Sequence, residues 1–198
     1  MVKKVFIEGT NPNTTAYFGW QDKSTALLGL KEGYKNSADN LVDIALDKAD
    51  NKTLDTYIFP ILFLYRHSLE ISLKLIYYGF FGKVPKGHEL DKLWGKVYDD
   101  VIKEINSDVF IERVKKYKKK FTKWSTDDID FNELRDIFAE LQLVDKQSDA
   151  WRYLIDKNQT LFFTDSKYID YINLKLVFED VFKKLDYLYF IVSEYMSD

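Results

Sequence analysis

The sequence predicts an all-α fold: a bundle of about five helices with a short hairpin or ordered loop near residues 151–163. All eight glycines and all three prolines lie at or before Gly95, so the last 103 residues contain neither of the two residue types that break helices. Apolar residues recur at steps of three and four in several segments, which is the period of a helix with one buried face. A chain of 198 residues can bury one sizeable core, so we expect one domain over residues 24–198, preceded by an arm of residues 1–23.

The first half of the chain should contain three helices. The arm of residues 1–23 has no period, and the first helix should begin near Ser24. A second apolar segment covers residues 54–81, where Pro60 is tolerated near the start of a helix or as a kink. Another helix should open after "PKGHEL", residues 85–90. The stripe predicted for the first helix consists of Leu27, Leu30, Tyr34, Ala38, Leu41 and Ala45.

The second half of the chain contains two more periodic segments and one alternating segment. Residues 151–163, "WRYLIDKNQTLFF", alternate between apolar and polar side chains, which favours a hairpin or an ordered loop. A helix should begin just after "STDD", residues 125–128, because these side chains suit an N-terminal cap. Its apolar positions are Phe131, Leu134, Phe138 and Leu141, and those of the last helix are Leu174, Val177, Phe178, Val181, Leu185, Leu188, Val192 and Tyr195.

Composition excludes several classes of site. The chain has no cysteine, so disulfides, thiolate metal ligands and a cysteine nucleophile are excluded. Its two histidines are 21 residues apart, there is no glycine-rich phosphate loop and no nucleophile elbow, and we expect no metal and no cofactor. The longest apolar run, residues 57–65, is too short to cross a bilayer, and the first residues lack a signal-peptide core. We therefore expect a soluble, cytoplasmic protein without a membrane partner.

Four polar residues interrupt the most apolar segment, in "FLYRHSLEISLK", residues 63–74. Arg66, Glu70 and Lys74 are spaced four apart and share one side of a helix, with His67 beside them. One interpretation is a structural ladder in which Glu70 bridges two cations and His67 is an interior histidine. The other is a cleft in which His67 transfers protons, oriented by Glu70, while Arg66 or Lys74 holds a phosphate.

Three motifs together resemble bacterial proteins of the HEPN class (higher eukaryotes and prokaryotes nucleotide-binding) over residues 54–160. The first is Arg-His-x-x-Glu in "FPILFLYRHSLEISLKLIYYGF", which contains Arg66, His67 and Glu70. The second is "KGHELDKLW", which contains His88, and the third is "SDAWRYLIDKNQ", which contains Arg152. Proteins of this class usually carry an arginine that is followed, after four to six other residues, by a histidine. That pattern is absent here, because Arg66 is adjacent to His67 and no arginine lies four to seven residues before His88.

The resemblance implies a HEPN-like helical domain over residues 24–198, a homodimer, and in many members metal-independent ribonuclease activity in toxin, abortive-infection or phage-defence systems. The candidate site residues follow from chemistry, because RNA cleavage without a metal needs a base and cations to stabilise the phosphorane charge. His67, His88 and Glu70 are the catalytic candidates, and Arg66, Lys74 and Arg152 are candidates for binding phosphate. The alternative is a non-catalytic interaction or dimerisation module that binds a protein partner, such as an antitoxin.

A basic segment at residues 113–123 adds a candidate RNA-binding surface. It holds seven basic residues and no acid, which leaves 22 cations against 32 acids elsewhere, a net charge of about −10. Its lysines can bind a phosphate backbone while Tyr117, Phe121 and Trp124 stack on bases. The other interpretation is a solvated helix face whose aromatic residues pack inward. The candidate RNA-binding lysines are Lys115, Lys116, Lys118, Lys119 and Lys120.

Overall fold

The fold is all-α, as the sequence predicts. The computed structural model describes residues 9–117, 124–146 and 148–196, with the backbone alone at 195 and 196, and within them it contains seven helices rather than five and no strand. The helix at 90–105 is continuous and passes through Leu90–Lys96, a π-helical stretch at Val97–Ile102, and Lys103–Ile105. The seven helices are α1 Lys23–Lys48, α2 Asn51–Phe81, α3 90–105, α4 Asp108–Tyr117, α5 Phe131–Val144, α6 Ala150–Tyr153 and α7 Tyr171–Met196.

Aspartate side chains cap the N-termini of three helices, α1, α2 and α5. Asp22 accepts a hydrogen bond from the N–H of Thr25, so α1 begins one residue before the predicted start. Asp50 caps α2 in the same way. Asp130 caps α5, which places the cap two residues beyond the predicted "STDD". Only Ala49 and Asp50 separate α1 from α2, and Ala49 adopts a φ of 47° that ends α1.

The core lies around α2, which packs against α1 and α7. Tyr65 of α2 stacks on Phe178 of α7, with ring centroids 4.2 Å apart, and donates its hydroxyl proton to Asp39 of α1 at 2.7 Å. Burial, reinforced by the nearby Asp39 carboxylate, raises the pKa of Tyr65 above its ordinary value. The predicted stripe of α7 is buried from Phe178 to Val192, together with Phe182 and Ile191, while Tyr195 lies outside the side chains that the structure describes.

The predicted face of α1 was partly wrong. Leu30 is 49% exposed, whereas Lys31, which the apolar pattern passed over, is buried. The Nζ atom of Lys31 lies 2.5 Å from carboxylate oxygens of Glu32 and of Asp186 on α7. Both carboxylates neutralise the charge of Lys31, so a lysine can occupy the buried position that faces α7. At this point the buried face of α1 therefore includes residue 31 instead of residue 30.

The segment at 151–163 is a single helical turn followed by an ordered loop. Residues 151–153 belong to α6, and one isolated antiparallel bridge then joins Ile155 to Leu161. Between them the side chain of Asp156 accepts hydrogen bonds from the N–H groups of Asn158 and Thr160, at 2.8 and 2.9 Å. Of the two predicted forms, a short hairpin or an ordered loop, the structure contains the ordered loop, which one bridge closes.

The part of the arm that the structure describes, residues 9–22, contains no helix. Tyr17, Phe18 and Trp20 are exposed there, with the rings of Tyr17 and Trp20 stacked at 6.4 Å. None of the helices in the described ranges combines the length and apolarity required to cross a bilayer.

Candidate functional site

The polar stripe of α2 is a buried ion network. Arg66 and Glu70 are each 3% exposed. The Arg66 Nη1 atom lies 3.5 Å from Glu70 Oε2, and Lys74 Nζ donates to Glu70 Oε1 at 2.7 Å. Both pairs expected from the spacing of four are thus formed, and Glu70 bridges the two cations.

A second carboxylate, Asp145, completes the network from outside α2. Its Oδ2 atom lies 3.2 Å from Arg66 Nε, at ion-pair distance although the N–H is not directed for a hydrogen bond. Its Oδ1 atom accepts the backbone N–H groups of Asp149 and Ala150, which start α6. Sequence reasoning missed Asp145, because its only signal was a carboxylate shortly before "AWRY", and charge patterning alone does not bring it to Arg66.

His88 lies against the same network, in the turn before α3. Its Nδ1 atom is 2.8 Å from Glu70 Oε1, and its backbone carbonyl accepts a hydrogen bond from Arg66 Nη2 at 2.9 Å. Gly87, just before it, has a φ of 101°, a conformation that residues with a Cβ rarely adopt. Although the backbone carbonyl and the ring of His88 are both hydrogen-bonded, the His88 side chain is 71% exposed.

The charge on Glu70 determines which nitrogen of His88 carries the proton. Burial alone would raise the pKa of Glu70, but hydrogen bonds from Lys74 and His88 outweigh it and lower the pKa below its ordinary value. Glu70 is therefore ionised at neutral pH and can only accept hydrogen bonds. It follows that Nδ1 of His88 is the donor, and that a neutral His88 has its free lone pair on Nε2, on an exposed ring.

His67 occupies a different environment. Its ring meets Tyr34 edge-on at 4.7 Å and stacks parallel to Phe63 at 5.8 Å, and among the described residues it has no hydrogen-bond partner. Burial lowers its pKa below the ordinary value, and the charges of Lys74 and Arg66 add to that effect against the opposing charge of Glu70. The carboxylate expected to orient His67 is instead bound to His88.

Arg152 lies at the edge of the same face of α2 but does not join the ion network. It pairs with Asp149 at 2.6 Å and donates from Nε to the carbonyl of Ser148. Its guanidinium lies 5.8 Å from the centre of the Phe63 ring. Arg152 is thus a partly exposed cation beside the aromatic neighbour of His67.

Only part of the basic segment falls within the described residues. Lys115 and Lys116 are exposed on α4, where Lys115 pairs with Glu112 at 2.7 Å, while Lys118, Lys119 and Lys120 lie outside the described residues. Trp124 is buried against Phe110, as the inward-packing interpretation expects, but Tyr117 is 82% exposed, against that interpretation, and Phe121 lies outside the described residues. A shallow surface depression of about 480 Å³ on α4 contains neither histidine; it is lined by Asp108, Val109, Glu112, Arg113, Lys116 and Tyr117.

Two further observations bear on identity. Within the described ranges, no group of three or more His, Cys, Asp and Glu residues is arranged to hold a metal ion. No family model, curated protein or solved structure matches this chain.

Proposed function

We propose that this chain acts on RNA as a metal-independent endoribonuclease of a bacterial toxin, abortive-infection or phage-defence system, working as a homodimer. The observation that carries the proposal is the contact between Glu70 and His88, which leaves a basic nitrogen on an exposed ring. The motif resemblance supplies the substrate class and the homodimer. His88, rather than His67, is then the residue that transfers the proton.

The chemistry requires a base and positive charge at one place. In RNA cleavage without a metal, the 2′-hydroxyl loses its proton to a base and its oxygen attacks the adjacent phosphorus, while the bond from phosphorus to the 5′-oxygen breaks and that oxygen takes up a proton from water. Nε2 of His88 accepts the first proton, and the ionised Glu70 at Nδ1 stabilises the imidazolium that forms. Lys74, whose side chain is 13% exposed, is the cation of the network most accessible to a phosphate.

RNA binding would draw on cations outside the network. Arg152 is partly exposed beside Phe63, and Lys115 and Lys116 are exposed on α4. These side chains offer charge to a phosphate backbone, in a chain whose overall charge is −3.

The test is cleavage of labelled single-stranded RNA and tRNA by the purified protein in the presence of a chelator. His88→Ala should lower the rate by about 100-fold or more, the range that general acid–base groups contribute. His67→Phe is the matched control, because a phenyl ring preserves the contacts with Tyr34 and Phe63 and should leave the rate within about twofold. Loss of cleavage in His67→Phe with retention in folded His88→Ala would move the site to His67.

A second function is favoured by a different observation. Arg66, Glu70 and Asp145 are buried and paired with one another, which fits a structural ladder in a non-catalytic module that binds a protein partner. The exposed Tyr17, Phe18 and Trp20 offer such a partner an aromatic surface. This alternative expects wild-type protein and His88→Ala to be equally inactive on RNA.

A further inference from the structure

The last turn of α5 holds the backbone turn that carries His88. The Oε1 atom of Gln142 accepts the N–H of Leu90 at 2.7 Å, and its Nε2 atom donates to the carbonyl of Lys146 at 2.7 Å. Glu89, which precedes α3, forms no side-chain cap. Gln142 therefore supplies from another helix the cap that α3 does not supply for itself.

Asp145, three residues further along, acts on the same turn through Arg66. It holds the guanidinium at Nε, and the Nη2 atom of that guanidinium donates to the carbonyl of His88. Asp145 directly follows Val144, the last residue of α5, so Gln142 and Asp145 both lie at the C-terminal end of that helix. The backbone after Glu89 is thus bonded directly to α5, the backbone before it is tied through Arg66 to the residue that follows α5, and Glu70 of α2 holds the His88 ring.

We infer that Gln142 and Asp145 are positioning residues, which keep Nδ1 of His88 against Glu70 and so keep Nε2 as its unprotonated nitrogen. The tautomer of a neutral histidine follows the hydrogen bond made by the other ring nitrogen. If the turn shifts, the ring leaves Glu70 and the proton distributes over both nitrogens. The inference rests on the proposed role of His88, but it concerns the geometry of the ring and can be tested without RNA.

The experiment is a long-range ¹H–¹⁵N correlation spectrum of the histidine rings at a pH where both are neutral. Only two histidines contribute signals, and His67, held between aromatic rings, is the internal reference. Wild type should show the Nδ1–H tautomer of His88. Gln142→Ala should show a mixture, whereas Gln142→Glu keeps an oxygen for the N–H of Leu90 and loses only the donor to Lys146, so its spectrum should lie closer to wild type than that of Gln142→Ala.

A second variant perturbs the other contact. Asp145→Asn keeps an oxygen for the N–H groups of Asp149 and Ala150 but removes the charge that holds Arg66, and it should also produce a mixture. If Asp145→Asn fails to fold, Gln142→Ala alone tests the positioning role. We expect that variant to fold, because Gln142 is only partly buried and lies outside the hydrophobic core. If the protein cleaves RNA, Gln142→Ala should lower kcat by up to about 100-fold, the effect of a small misplacement of the reacting group, and should not raise KM.

The outcomes separate this inference from the proposed function. A tautomer shift without any wild-type cleavage would support the positioning role and reject the ribonuclease. An unchanged His88 spectrum in Gln142→Ala and in folded Asp145→Asn would overturn the positioning role, even in an active enzyme. A mixed tautomer in the wild type would overturn it as well.

Discussion

Replacing Glu70 with glutamine measures how strongly the buried ion network stabilises the fold. The side chains of Glu70 and Arg66 are 3% and 4% exposed, and removing one partner of such a pair costs about 3–5 kcal/mol because the other charge stays buried. Arg66 keeps Asp145 at 3.2 Å, and Lys74 can reach water, so we expect the lower end, about 3 kcal/mol. The amide matches the carboxylate in shape, so no cavity contributes. For a chain of this size the loss corresponds to a Tm lower by about 6–12 °C.

Urea unfolding at pH 7 is the assay, and Asp99→Asn is its control. The pair of Asp99 and Lys103 is about 60% exposed on both sides, so breaking it should cost less than about 1 kcal/mol. The folded-state pKa of Glu70 is lowered, so the carboxylate stabilises the fold above its unfolded pKa of about 4.3. That stability is lost as the pH falls through the folded pKa, so the gap between wild type and Glu70→Gln should shrink in acid. A loss below about 1 kcal/mol at pH 7, or a gap that stays constant down to the lowest pH at which wild type folds, would refute the reasoning.

Two further predictions concern single residues of the core helices. Lys31→Met should change the free energy of unfolding by less than about 1 kcal/mol, because methionine fills the buried space and the two carboxylates left behind, Glu32 and Asp186, are half exposed. A loss above about 3 kcal/mol in urea would show that this ion pair holds α1 to α7. Pro60→Ala should raise the free energy of unfolding by about 1–3 kcal/mol, since Pro60 is exposed inside α2 and alanine restores a helical N–H. A lower Tm in a thermal scan would mean that the proline is needed where it stands.

The fold was predictable wherever the signal was local. The stripe from Phe178 to Val192 follows from the helical period, and the pairs that Glu70 makes with Arg66 and Lys74 follow from a spacing of four. Two helices beyond the predicted five were missed: α6 is one turn long and has no period, whereas α4 carries Phe110, Ile111 and Val114 at helical spacing, and only its basic charge was recognised.

The site was less predictable because its decisive contacts join distant parts of the chain. A spacing rule cannot place Asp145 beside Arg66, nor Gln142 at the start of α3. The choice between the two histidines also depends on the turn at Gly87, which directs His88 to Glu70. Both histidines were found from the sequence, but their different environments required the packed structure.

The contacts between α7 and the first two helices have a consequence for the order in which the chain folds. Lys31 reaches Asp186, 155 residues away, and Tyr171 donates to the carbonyl of Leu54, 117 residues away. Loops of this length lose chain entropy before their contacts return any energy, so α7 should dock late. Until then the α1–α2 pair exposes the apolar surface that α7 later covers. Exposed apolar surface of this kind favours aggregation, so refolding at high protein concentration should lower the yield of folded protein.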